Sequence, residues 1–89
     1  MSKKDKKVLQ KVLSGLSDKS IKFSDLRELV RSLGFDERTK GDHYIFTMAV
    51  ISEIINLQPL KDGRAKVYQA KQVRSIILKY KLHEEANDV

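Results

Sequence analysis

With 89 residues, 40% of them hydrophobic, the chain has material for one domain with a single economical core. It has no cysteine, which excludes a disulfide framework and a zinc–thiolate site, so apolar packing alone must hold the fold. The longest apolar stretch, Met48 to Ile51, is far too short to span a bilayer and the lysine-rich start has no apolar run, so neither a membrane span nor a secretory segment is expected and the expectation is a cytoplasmic protein; the net charge is +6.

Residues 3–14 are expected to be helical. Val8, Leu9, Val12 and Leu13 recur at one-turn spacing, lysines fill the other face, and Ser14 and Gly15 offer a stop. Residues 16–20 read as a loop and residues 21–23 as a short extended lead-in. A second helix is expected over residues 25–33, where Leu26, Leu29, Val30 and Leu33 form one apolar stripe. Ser24 is placed as its N-cap, Asp25 and Glu28 suit its positive end, and Gly34 terminates it.

The period then changes. Residues 35–39 alternate weakly, Lys40, Gly41 and Asp42 make a turn, and residues 43–48 are a β-rich run, the signature of an antiparallel hairpin. A third strand is expected over residues 53–58 and closes at Pro59, since proline cannot donate to a ladder. Residues 60–66 form a basic, glycine-containing loop. Residues 69–81 return to helical spacing, with Val73, Ile76, Ile77 and Tyr80 inward and Lys71, Arg74, Lys79 and Lys81 toward solvent. The tail, residues 84–89, is expected to fray. The predicted fold class is α+β: two helices, a three-stranded antiparallel sheet and a further helix, with the helices on one sheet face and the other face open.

Charge is unevenly distributed. Residues 1–23 carry seven lysines against two acids, and residues 61–81 carry seven Lys or Arg against Asp62, whereas the middle and the tail are acidic. Such a pattern suits a polyanion-binding surface. Solubility of a small protein explains it equally well.

His43 stands at the start of the second strand, just behind the turn. Alternation puts Tyr44, Phe46 and Met48 on one face and His43, Ile45 and Thr47 on the other. The more apolar set should meet the helices, leaving His43 on the open face beside Lys40. Gly41 permits the tight backbone of the turn. A direct Asp42–His43 pair is not expected from a strand, and Asp42 is assigned to capping the turn. Metal ligation is not expected either, because His83 is remote and no ligand cluster accompanies it. An exposed imidazole among cations can transfer protons while a ribose 2′-hydroxyl attacks the neighbouring phosphate. A surface or structural histidine is the competing reading. Lys66, Lys71 and Arg74, at or near the start of the last helix, are candidate phosphate contacts, with a solvated helix face as the alternative. Tyr44 and Phe46 are readable as base-stacking or core residues. Tyr68 is open between stacking, phosphate contact and packing.

The ordered segments SDLRELVRSLGF, KGDHYIF and KVYQAKQVRSIILKY resemble the HicA family of toxin–antitoxin toxins, over residues 21–82. The most specific piece is a glycine-x-histidine that follows a helix ending in Leu-Gly-Phe. The resemblance implies a double-stranded-RNA-binding-like core with residues 1–20 as a basic helical extension and residues 83–89 as an acidic flexible tail. It also implies metal-independent and cofactor-free mRNA cleavage dependent on His43, with Gly41 as the motif glycine. RNA would be contacted through Lys40, Gly41, Lys66, Lys71 and Arg74, and a HicB-type antitoxin would be the protein partner. The family often shows Gly-Ser-His-His. Here Asp42 and Tyr44 occupy the serine and second-histidine positions, removing one proton carrier and adding a negative charge. A non-catalytic RNA-binding module on the same scaffold is the alternative reading, and an interaction domain whose lysines serve only solubility is a third.

Overall fold

The computed structural model describes residues 1–87, with the side chains of residues 1–84. Helix α1 (Lys3–Ser14) is bounded by its own sequence at both ends. Ser2 Oγ accepts from the Asp5 amide at 3.1 Å, and Gly15 closes the helix at φ +70°. Val8, Leu9 and Val12 are buried in the same core as the other elements, so this basic helix forms part of the globule.

Residues 16–20, read as a loop, contain a 3-10 turn (Asp18–Ser20). Helix α2 (Phe23–Ser32) starts earlier than its caps suggest. Ser24 lies inside it and makes no cap; the N-cap position is Lys22, with no side-chain bond. The start is set instead by a distant loop. The Phe23 amide donates to the Gly63 carbonyl at 2.9 Å, and the Ala65 amide donates to the Ile21 carbonyl at 2.8 Å. A donor left free at the helix end is thereby satisfied from 40 residues away in sequence. Leu26, Leu29 and Val30 are fully buried, and Gly34 follows at φ +102°.

Three strands follow, β1 (Asp36–Lys40), β2 (His43–Met48) and β3 (Ile51–Leu57), in the antiparallel order β1-β2-β3. Lys40 pairs with His43 and Arg38 with Ile45; on the other side Ile45 pairs with Asn56 and Phe46 with Ile55. The register shifts between Phe46 and Met48. The third strand begins at Ile51, two residues earlier than expected, and ends at Leu57. Ala49 and Val50 make the intervening turn although neither is a turn-forming residue, and Val50 is 83% exposed there.

Helix α3 (Val67–Tyr80) also begins two residues early. It ends at Lys81, whose φ of +54° is a left-handed cap made without glycine. A fourth helix, α4 (Leu82–Asn87), occupies most of the tail expected to fray; residues 88–89 of that tail lie outside the described residues.

The result is an α+β fold with its helices on one face of the sheet. Phe23 of α2 meets Tyr44 with ring centroids 5.0 Å apart, α3 lies along β3, and α1 covers both helices. Phe46, Ile55 and Leu57 fill the sheet side of the core. Truncating the fully buried Phe46 to alanine would cost about 3–5 kcal/mol. Phe23 and Phe35 are buried, and Tyr80 packs against the core with its hydroxyl bonded to Glu53. The opposite sheet face carries Arg38, Lys40, His43, Ile45, Thr47, Ile54 and Asn56 and is uncovered. No helix among the described residues is long and apolar enough to cross a membrane.

Candidate functional site

The site is built around the two-residue turn that joins β1 to β2. Gly41 takes φ +61°, while Asp42 does not have a positive φ, the sign pattern of a II′ hairpin turn. A Cβ added at Gly41 would meet nothing within 4 Å. The glycine is therefore required by backbone angle and not by space.

Because Lys40 and His43 close this turn as a directly opposed pair, both side chains leave the same, uncovered face. The His43 side chain is 48% exposed. Its Nδ1 lies 3.1 Å from Oδ1 of Asn56, on the neighbouring strand. An amide oxygen only accepts, so in the Nδ1–H tautomer the ring donates to Asn56 and its Nε2 lone pair is available. Nε2 stands 3.8 Å from Oδ1 of Asp42.

Asp42 does more than occupy the turn. Its Oδ2 accepts from Gln58 Nε2 at 2.7 Å, and Gln58 Oε1 in turn accepts from Lys66 Nζ at 2.9 Å. The Gln58 bond, followed by a backbone bond and the charges of His43 and Lys66, holds the Asp42 carboxyl below the usual carboxylate range. The site thus places a fixed anion beside His43, with Lys40 and Lys66 nearby.

Behind this row lies Gln69 of α3, only 2% exposed. In the amide orientation that satisfies both ends, it accepts from the Gln58 amide at 3.1 Å and donates to the Gln58 carbonyl at 3.2 Å. Gln69 therefore acts like one more strand residue at the end of β3, fixing the segment that carries Asn56 and Gln58.

Of the residues expected from sequence, His43, Lys40, Gly41 and Lys66 come together. Lys71 does not join them: it borders a separate depression with Gly15, Leu16, Lys19 and Val67. Arg74 is a correction. Its guanidinium binds both carboxylate oxygens of Asp18 at 2.9 and 3.1 Å and donates to the Val12 carbonyl at 3.0 Å, with the side chain only 20% exposed. It ties α3 to the end of α1 and is not free for phosphate. Tyr44 faces the helices, beneath Phe23 and the Arg27 guanidinium 4.8 Å from its ring, and Phe46 is core.

Sequence reasoning missed Asn56, Gln58 and Gln69. Two signals were present. Asn56 is a polar residue between Ile55 and Leu57, two buried positions of the third strand, and Gln69 sits on the helical stripe of Val73, Ile76 and Ile77, a polar residue among buried ones. No group of three or more His, Cys, Asp or Glu side chains gathers among the described residues.

No family model, curated protein or solved structure matches the chain.

Proposed function

We propose that the chain is a cytoplasmic, HicA-type ribonuclease that cleaves mRNA without a metal and is restrained by a HicB-type antitoxin. The observation that supports this reading best is the placement of His43. The half-exposed ring stands opposite Lys40 on the uncovered sheet face, with Nδ1 3.1 Å from Asn56 Oδ1, which accepts from it in the Nδ1–H tautomer.

In this proposal Nε2 takes the proton of a ribose 2′-hydroxyl and O2′ attacks the adjacent phosphorus. The bond from phosphorus to O5′ breaks, and the departing oxygen receives a proton from the imidazolium. The products are a 2′,3′-cyclic phosphate and a 5′-hydroxyl. Lys40 and Lys66 offset the charge that builds on the non-bridging oxygens. Expression of the chain without its antitoxin should arrest growth, and His43→Ala should relieve the arrest at equal protein level. Arrest that persists in the variant would refute the assignment.

Two observations favour a second reading, a non-catalytic RNA-binding module. The acid 3.8 Å from Nε2 opposes phosphate approach, and Tyr44 is turned away from the site and cannot supply a second proton carrier. Under that reading, purified protein binds RNA but leaves it intact, and His43→Ala changes affinity only a few-fold.

A further inference from the structure

His43 and Asn56 form a ridge between two depressions of different chemistry. One is lined by Lys40, Gly41, Asp42 and Ile45, and it carries the charged groups. The other is lined by Gln58, Tyr68, Gln69 and Gln72 and contains no ionisable acid or lysine. The second is not explained by phosphate binding.

Its composition fits another part of a nucleotide. Tyr68 and Gln72 lie one turn apart at the start of α3, on the flank that meets the end of β3. Tyr68 is 62% exposed, whereas the phenylalanines are buried and Tyr44 and Tyr80 pack against the core. A flat ring held on a helix offers one face to a base, and base–aromatic stacking is a major source of affinity for unpaired strands. Carboxamides carry both a donor and an acceptor, matching the mixed edge of a nucleobase, as a lysine or a carboxylate does not. Gln69 is engaged with the Gln58 backbone and forms the floor. Gln72 is exposed at the rim, where its amide can reach a base edge.

We propose that this depression is a nucleobase subsite. It receives the base next to the phosphate that lies at His43, with Tyr68 stacking on it and Gln72 reading its edge. The proposal rests on the ribonucleic-acid reading of the His43 site and adds to it a base preference at one position.

The test separates the two claims. The full chain, labelled for NMR, is titrated with each of the four nucleoside 5′-monophosphates, with ribose 5-phosphate and with inorganic phosphate. At least one nucleotide should shift the Tyr68 ring and the Gln72 side-chain amide, and ribose 5-phosphate should leave both unmoved. Tyr68→Ala, an exposed position that does not disturb the core, should weaken that nucleotide at least about fivefold. In cleavage of a random-sequence RNA, Tyr68→Ala and Gln72→Ala should each flatten the base preference beside the cut. Equal shifts with ribose 5-phosphate, no nucleotide shift at Tyr68 and Gln72, or unchanged affinity in Tyr68→Ala would each overturn the subsite. Nucleotide shifts at these residues in a protein that cuts no RNA would support the subsite and refute the nuclease.

Discussion

Gln58 reaches across the end of the hairpin to Asp42, its Nε2 donating to Oδ2 at 2.7 Å, and this contact decides where the acid stands relative to His43. Adjacent strand residues point to opposite faces, yet Asp42 lies in the turn and is drawn to within 3.8 Å of Nε2. The carboxylate stabilises an imidazolium and repels a phosphate in the same place. The balance between these effects is testable.

Replacing Asp42 with serine removes the repulsion and leaves the hairpin and Gly41 intact. The expected outcome is faster RNA cleavage at low salt, on the order of fivefold, with the gain shrinking as ionic strength rises. Initial rates on a defined RNA at two salt concentrations check it. A slower variant would mean that the acid's support of the imidazolium dominates.

Arg74→Ala is expected to destabilise the fold by about 3 kcal/mol, because it leaves Asp18, 8% exposed, without its partner and frees the Val12 carbonyl. RNA affinity per folded molecule should not change, since the guanidinium already faces protein groups. Urea denaturation together with RNA binding by the folded variant distinguishes this from a phosphate contact, whose loss would reduce affinity and its salt dependence.

A different cluster contributes to stability against acid. Lys79 first, then the Tyr80 hydroxyl, hold the Glu53 carboxyl down from its ordinary 4.5 to about 2. The folded state therefore binds this proton less readily than the unfolded chain does. The contribution is fully present above pH 4.5 and is lost as pH falls toward 2. The melting temperature of Glu53→Gln should accordingly depend less on pH across that window than the parent's. Parallel melting curves would show that the cluster does not hold in solution.

Gln69→Leu keeps the side-chain bulk and removes the clamp on Gln58. Leaving those backbone groups unpaired should cost about 1–3 kcal/mol. Cleavage by the folded fraction should also fall, because Asn56 and Gln58 are carried by the released segment. A full loss of stability with unchanged cleavage would make Gln69 purely structural.

The sequence made some of this legible, for identifiable reasons. Helix α1 was readable because its apolar spacing and its terminating glycine are local. His43 was placed on the open face because strand alternation needs only neighbouring residues. The start of α2 was missed because its first amide is satisfied by Gly63, and the start of β3 because Ala49 and Val50 turn without a turn-forming residue. Arg74 looked like a solvent cation because its partner, Asp18, is 56 residues away. Helix α4 was unexpected because Lys81 adopts a left-handed angle usually left to glycine. Gln69 required knowing which strand end faces α3, and pairing across elements is not written in local spacing.

The most direct measurement is single-turnover cleavage of a defined RNA, in the presence of EDTA, by the parent chain and by His43→Ala of matched melting temperature. The proposed mechanism predicts that the parent cuts with EDTA present and that the variant is slower by at least about a hundredfold. Equal rates for the two proteins, or a parent that cuts only when a divalent ion is supplied, would contradict it.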